Sequence, residues 1–114
     1  MRIVIAPQEF KGTLTAREAA RAMADGAAKA LPGADINEVP LSDGGPGLVE
    51  AVLTAKGGRP QTAAVSDPLG HNIKAEWGLL DDGSAVIEMA AAAGLWRVSE
   101  SERDPSSATS YGVG

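Results

Sequence analysis

The spacing of hydrophobic and polar residues predicts a strand and then a helix at the start of the chain. Residues 2–6 form a short apolar run rich in β-branched side chains, and Pro7 ends it, which is typical of a buried strand. Apolar residues then recur every three or four positions through residues 16–31, which is the period of a helix. Thr15 and Glu18 supply a capping box at its start. The pattern therefore predicts a strand at 2–6 and a helix at 16–31.

A second strand and a second helix are predicted directly after the first pair. Residues 36–41 form another extended apolar run, and residues 47–56 form an amphipathic segment closed by a pair of glycines. Alternation of strand and helix is typical of an α/β layer with parallel strands, whose right-handed crossovers bring the loops after both strands to one sheet edge. We therefore expect the loop containing Lys11 and the loop containing Asp43 to share that edge, where ligands of such folds bind.

The pattern changes to that of an antiparallel sheet after residue 58. Residues 59–66 are extended, residues 67–70 form a turn, and apolar and polar residues alternate through 73–79. The Asp-Asp-Gly sequence at 81–83 is a hairpin signal, and the alternation resumes at 85–89. These residues predict a β-rich hairpin segment after the parallel layer.

The remaining residues complete a division into two predicted domains. Residues 89–95 fit either a short helix or an alanine-lined turn, and residues 96–108 are polar and irregular. Residues 109–114 form a glycine turn of the kind that introduces a further element. We predict an α/β fold, with a βαβα layer at 1–66 and a β-hairpin subdomain with a truncated glycine turn at 67–114.

Composition narrows the classes of partner. The 114 residues are enough for one hydrophobic core, and 44% hydrophobic with 22% charged residues is ordinary for a globular protein. A net charge of -5 disfavours nonspecific binding to nucleic acid, because Lys and Arg must neutralise phosphates. The chain has no cysteine, and no apolar run approaches the roughly 18 residues of a membrane helix. We therefore expect a soluble cytoplasmic protein with no nucleic-acid or membrane partner.

The candidate site lies where the second strand meets the second helix. Asp43 precedes Gly44, Gly45 and Gly47, whose missing side chains permit positive φ and close approach of the backbone to a ligand. Such a turn presents N–H groups and a carboxylate to a charged ligand, although an ordinary strand-to-helix turn or helix cap has the same composition. Lys11 supplies a positive charge in the neighbouring loop, where the alternative is a solvated loop lysine.

The other residues with ionisable or nucleophilic side chains do not form a known catalytic or metal-binding motif. The sole histidine, His71, lies in a turn and is expected at the surface, and Glu88 is either a cleft carboxylate or an exposed strand residue. The sequence contains no Ser-His-Asp grouping, no histidine cluster and no Gly-x-x-x-x-Gly-Lys-Ser/Thr loop. It therefore does not support a hydrolase triad, a zinc site or a P-loop NTPase.

Several motifs occur in a defined order along the chain. They are Ile3-Val-Ile-Ala-Pro7, Phe10-Lys-Gly-Thr-Leu-Thr-Ala16, Asp43-Gly-Gly-x-Gly47, Pro68-Leu-Gly70, Ile87-Glu-Met-Ala-Ala-Ala-x-Gly94 and Thr109-Ser-Tyr-Gly-x-Gly114. This order resembles the N-terminal part of bacterial glycerate kinases, over essentially the whole of the chain. Members of that family continue far beyond the last motif, so the chain is expected to be a fragment or a shortened relative, incomplete relative to the full family fold.

The resemblance implies an ATP- and Mg²⁺-dependent transfer of the γ-phosphoryl group to a hydroxyl of D-glycerate, in a cleft between two α/β domains. It also implies a first domain closed by returning C-terminal chain, which this sequence lacks. Phosphoryl transfer requires positive charge near the moving oxygens and an acid that orients the acceptor or holds magnesium. We therefore assign Lys11 to the substrate carboxylate or a nucleotide phosphate, and Asp43 to Mg²⁺ or the glycerate hydroxyl.

The resemblance implies further contacts in the same cleft. The backbone of the glycine turn is expected to bind an anion at the helix start, and the C-terminal turn is expected either to line the cleft or to be a disordered chain end. The residues concerned are Gly44, Gly45, Gly47, Ser110, Tyr111 and Gly112. Two departures from the usual family sequence fall in the site loops, since Gln8 and Glu9 stand for Asp-Ser and Pro46 stands for Glu.

Functions from different classes remain open at this point. The chain is the N-terminal part of a glycerate kinase, or it is a noncatalytic module that keeps the fold and binds a small hydroxy acid or assembles with a partner chain. A third interpretation is a structural fragment that folds by associating with itself. The expected partners are accordingly D-glycerate, a second copy of the chain or the missing C-terminal portion.

Overall fold

In the computed structural model, which describes all 114 residues, two short strands pair in parallel and are joined by a helix. Strand β1 (Arg2–Ile5) lies in register beside β2 (Asp35–Glu38) along its whole length. The alignment continues beyond both strands, because Leu41 N–H donates to the Pro7 carbonyl at 2.9 Å. The loops after β1 and β2 therefore leave the sheet at the same edge.

Helix α1 (Ala16–Ala30) covers one face of these strands. Glu18 N–H donates to the Thr15 hydroxyl at 3.2 Å and Thr15 N–H donates to the Glu18 carboxylate at 2.8 Å, which confirms the predicted capping box. Small side chains on the inner face of the helix allow it to lie close to the sheet. The core they form joins Ile5, Ala20 and Ala24, with Ile3, Ala27 and Ile36 packed around it.

Antiparallel pairing organises the second half of the chain. Helix α2 (Leu48–Lys56) precedes β3 (Arg59–Ser66), β4 (Asn72–Leu79) and β5 (Ala85–Ile87), which form a three-stranded sheet in the order β3, β4, β5. Helix α3 (Met89–Ala93) follows β5. The remaining regular segments are 3₁₀ turns at Leu95–Arg97, Glu100–Glu102 and Tyr111–Val113.

One close approach in this sheet requires glycine. A β-carbon at Gly78 would lie 2.6 Å from Val86 Cγ1 and 3.2 Å from Leu53 Cδ2, both inside van der Waals contact. Because position 78 carries no side chain, Leu53 of α2 packs directly on β4. The contact anchors the C-terminal half of α2 to the sheet.

The residues divide into two compact units, Met1–Ala51 and Val52–Gly114. The sequence pattern grouped residues 59–66 with the first domain, whereas β3 lies in the second unit because all of its residues pair with β4. The predicted domains 1–66 and 67–114 differ from the compact units by that strand and the end of α2.

The predicted α/β class is confirmed. Most element boundaries lie within one residue of their predicted positions, and the two larger differences have identifiable reasons. Strand β2 ends at Glu38 rather than at residue 41, because Pro7 has no N–H to donate to the opposite strand. The return strand ends at Ile87 because Met89 begins α3, so residues 89–95 start as a short helix. None of the helices combines the length and apolar character that a bilayer crossing requires.

Candidate active site

The loop after β1 exposes Lys11 in a left-handed backbone conformation. Its φ is +36°, and it is the one non-glycine residue in the chain with positive φ. Two hydrogen bonds close the loop around it, from Phe10 N–H to the Leu14 carbonyl at 2.8 Å and from Thr13 N–H to the Phe10 carbonyl at 2.9 Å. No carboxylate pairs with the Lys11 ammonium, so its charge is available to an anion.

The loop after β2 is organised by its own side chains. Asp43 Oδ1 accepts a hydrogen bond from Gly45 N–H at 3.0 Å, and Ser42 Oγ accepts one from Gly44 N–H at 3.2 Å. Positive φ values of +100° at Gly44 and +89° at Gly47 agree with the predicted need for glycine. Two of the three glycine N–H groups expected to bind an anion are therefore already satisfied within the loop, and only that of Gly47 has no acceptor.

Contacts within the first unit hold these two loops at one sheet edge. The loops follow paired parallel strands, and the backbone hydrogen bond beyond the strand ends keeps their first residues adjacent. Arg17 Nε lies 2.6 Å from Glu50 Oε1, which links the first turns of the two helices that the loops introduce. The structure therefore places the Lys11 loop and the Asp43 loop on the same edge of the sheet.

The predicted metal site rests on Asp43 alone. No group of three or more His, Cys, Asp or Glu side chains in the structure could hold a metal ion. Mg²⁺ is commonly held by one or two carboxylates together with water and substrate phosphates. Asp43, exposed and with its second oxygen unused, fits such a minimal contribution, whereas a site built from protein ligands alone is not supported.

Residues 110–112, the predicted contacts from the C-terminal turn, belong to the second unit. Thr109 N–H donates to the Pro68 carbonyl at 3.0 Å, and a β-carbon at Gly112 would lie 1.8 Å from the Ser66 carbonyl oxygen. Because only glycine fits there, the turn docks tightly on the end of β3. The Tyr111 side chain is 83% exposed.

Asp67 has a role that the sequence interpretation missed. It is the one charged side chain that is buried, at 6% exposure. Its Oδ1 accepts from Leu69 N–H at 2.8 Å and His71 N–H at 2.9 Å, and its Oδ2 lies 3.0 Å from His71 Nδ1. Burial acts to raise the pKa of Asp67, but the hydrogen bonds from His71 and Leu69 outweigh it and hold the pKa below its ordinary value. The available signal was the Asp-Pro-Leu-Gly turn, where Asp commonly accepts from the following backbone.

The remaining candidate residues lie in the second unit. His71 is a surface residue with its side chain 67% exposed, as expected for its turn. Glu88 stands immediately before α3, where it is partly buried and lines a cavity of about 320 Å³. Glu88 is therefore not an exposed strand residue, and a role as a cleft carboxylate stays a prediction.

Comparison with known proteins gives one consistent result. The model of the Glycerate kinase family matches residues 3–114. The glycerate 2-kinase of Escherichia coli is 46% identical and the glycerate kinase of Bacillus subtilis is 44% identical, each over 100% of this chain and 30% of the relative. A solved structure from Salmonella typhimurium, assigned as glycerate kinase 2, superposes with a TM-score of 0.76 at 48% identity, covering 98% of this chain and 31% of that one.

Proposed function

This chain belongs to the glycerate kinase family, and we propose that it serves the ATP-dependent phosphorylation of D-glycerate. The chain spans about 30% of the length of the curated relatives it matches. The observation that carries the proposal is the shared sheet edge, where an unpaired lysine and an acid-then-glycine loop follow two parallel strands. Because ATP is the phosphoryl donor of this reaction, we place the activity in the cytoplasm.

Lys11 binds the negative charge of the substrate in this proposal. Its ammonium has no carboxylate partner, and the hydrogen bonds of the surrounding loop fix the backbone from which it extends. A lysine ammonium binds carboxylate or phosphate oxygens as a point charge. We assign it to the glycerate carboxylate or to a transferring phosphate, the two anions that the reaction brings together.

Asp43 orients the acceptor hydroxyl or contributes a ligand to Mg²⁺. Its Oδ1 is engaged with Gly45 N–H, which fixes the carboxylate in one orientation and leaves Oδ2 for a ligand. Mg²⁺ bound with ATP would neutralise charge on the phosphate oxygens. The Gly47 N–H supplies an anion contact at the start of α2, and those of Gly44 and Gly45 join it only when the loop side chains release them.

Two details of the proposal come from the relatives. Ser110, Tyr111 and Gly112 are proposed to contact substrate because the corresponding motif marks the family. The Escherichia coli relative is named a glycerate 2-kinase, so we propose the 2-hydroxyl of D-glycerate as the acceptor. The position of the phosphoryl group in the product, read by NMR, tests this assignment.

The direct test is glycerate-dependent consumption of ATP by this polypeptide with Mg²⁺, together with calorimetric titration of D-glycerate. We expect Lys11→Ala and Asp43→Asn each to weaken D-glycerate binding by about tenfold or more, since each removes a charged contact of roughly 1.5 to 3 kcal/mol. Lys29→Ala is the matched control, because Lys29 is an exposed lysine of the same unit in the last turn of α1. Equal losses in Lys11→Ala and Lys29→Ala would reject the assigned role.

A noncatalytic binding module is the second candidate, and one observation favours it. Two of the three glycine N–H groups at the α2 start are held by Asp43 and Ser42 instead of being open to an anion. A module of this kind would bind D-glycerate without consuming ATP. Binding without turnover therefore supports the module, whereas turnover supports the kinase.

A further inference from the structure

The second unit contains an apolar pocket, and none of its lining residues belongs to the Lys11 or Asp43 loop. Its volume is about 400 Å³, which lies within the usual range for sites that bind small molecules. The walls are mainly apolar and include Pro68, Leu69, Met89 and Leu95. A three-carbon hydroxy acid such as glycerate has no apolar surface to place against such walls, so the pocket suits a different ligand.

The pocket has a defined framework. One wall is fixed by the hydrogen bond from Thr109 N–H to the Pro68 carbonyl, and another is the end of α3 with the following turn. Met89 and Leu95 line it while remaining 59% and 67% exposed. Exposed apolar side chains gathered around one concavity mark an interaction surface, and the volume of this concavity favours a small molecule as its ligand.

The rim of the pocket carries one cation whose charge is not neutralised by a partner. Arg103 is exposed and forms no ion pair or hydrogen bond. The adjacent Asp104 is committed to the turn, since its Oδ1 accepts from Ser106 N–H at 2.9 Å and from Ser106 Oγ at 2.6 Å. Ser110 adds a hydroxyl to the same rim. The site therefore combines an apolar interior with a cationic edge.

We infer that this pocket receives the base of the nucleoside triphosphate, with Arg103 binding its phosphates and Ser110 contacting the base edge or the ribose. This inference rests on the proposed function, because a kinase requires a nucleotide. A nucleobase has two apolar faces and a polar edge, and its phosphates are anionic, so it matches both parts of the pocket. Lys11 and Asp43 of the first unit then contact the acid, and the pocket and Arg103 of the second unit bind the nucleotide.

Calorimetric binding of ATP, adenosine and inorganic tripolyphosphate to the full chain tests the inference. Leu95→Asp places a charge on the apolar wall, and we expect it to weaken both ATP and adenosine by about tenfold or more. Arg103→Ala is expected to weaken ATP and tripolyphosphate while leaving adenosine unchanged. The matched controls are Leu31→Asp and Arg59→Ala, which change exposed residues outside the pocket and should bind like the parent chain. Circular dichroism verifies that each variant folds.

The outcomes separate this inference from the proposed function. The pocket assignment is overturned if both Leu95→Asp and Arg103→Ala bind ATP as tightly as the parent chain. It is also overturned if the parent chain does not bind ATP. D-glycerate binding, which depends on Lys11, is measured in the same samples and is expected to stay intact in both pocket variants. Loss of D-glycerate binding in the parent chain would instead remove the proposed function.

Discussion

At the residue scale, the structure separates charges that hold the fold from charges that are open to a ligand. Both carboxylate oxygens of Asp67 form hydrogen bonds within the turn between β3 and β4. One oxygen of Asp104 accepts a hydrogen bond from Ser106 N–H. Lys11 and Arg103 have no such partner. The charged residues that accept hydrogen bonds stabilise turns. We place the ligand contacts at the charged residues that have no partner.

Asp67 makes the stability of the chain depend on acid pH. The pKa of Asp67 is lowered in the folded chain, so its ionised carboxylate stabilises the fold. This stabilisation is complete above the pKa of Asp in the unfolded chain, about 4, and is lost as the pH falls through the lower pKa of the folded chain. We expect Asp67→Asn to unfold at a lower urea concentration than the parent chain at pH 7. The difference between the two urea midpoints should narrow as the pH falls from about 5 to 3. Urea titrations across this range measure it, and a difference that is constant with pH would contradict the ionic role.

At the element scale, each unit depends on local features that fix where an element begins or docks. The Thr15 and Glu18 box fixes the first turn of α1, which supplies the helical side of the first core. Gly112 permits the C-terminal turn to contact the backbone of Ser66 in β3. The Thr15 and Glu18 box lies outside the proposed ligand contacts, so its loss is expected to change stability before binding. Gly112 is also a proposed substrate contact, so a side chain there is expected to affect both.

Loss of the helix cap should destabilise the first unit. Thr15→Ala removes the hydroxyl that accepts from Glu18 N–H, and we expect it to lower the free energy of unfolding by about 1 kcal/mol. Thr15→Ser retains the hydroxyl and is the matched control. Chemical denaturation measures both variants, and an equal loss in the two would mean that the cap is not the cause.

Close docking of the C-terminal turn should make position 112 intolerant of a side chain. Gly112→Ala places a β-carbon against the Ser66 carbonyl oxygen, and we expect a cost of about 1 to 3 kcal/mol. At Gly114 the nearest heavy atom to a β-carbon is 3.8 Å away, so Gly114→Ala should be close to neutral. Hydrogen exchange at β3 reports undocking, and unchanged protection in Gly112→Ala would argue against this packing.

At the scale of the whole molecule, the chain exposes apolar side chains that an α/β fold normally covers. Parallel sheets are usually buried on both faces, and α1 packs on one face of the β1 and β2 sheet. Val4, which alternates with Ile3 and Ile5 along β1, is 59% exposed. Because this apolar side chain is exposed, we expect the face that carries it to contact other protein surfaces.

We expect the open sheet face to promote self-association. The melting temperature should therefore rise with protein concentration, because mass action stabilises any folded oligomer. Val4→Lys places a charge on that face and should reduce both the association and the concentration dependence, with little effect on the monomer. Sedimentation and melting over a wide dilution series measure this, and a melting temperature independent of concentration would exclude it.

The sequence alone determined the features that depend on near neighbours. Helical spacing and the Thr15 cap located α1, and the alternation of strand and helix located the sheet edge shared by the Lys11 and Asp43 loops. The motif order identified the family that the comparisons then showed. Helical spacing and capping depend on residues a few positions apart, and the shared sheet edge follows from the crossover rule. The motif order can also be read directly from the sequence, because each motif is a short run of residues.

Only the tertiary structure decided which polar groups were already occupied and which surfaces came together. It showed the glycine N–H groups held by Ser42 and Asp43, the burial of Asp67, and the pairing of β3 with the second unit. It also assembled the apolar pocket from residues between Pro68 and Ser110. Burial, hydrogen-bond occupancy and pocket shape depend on contacts between residues far apart in the chain, and no local pattern of side chains encodes them.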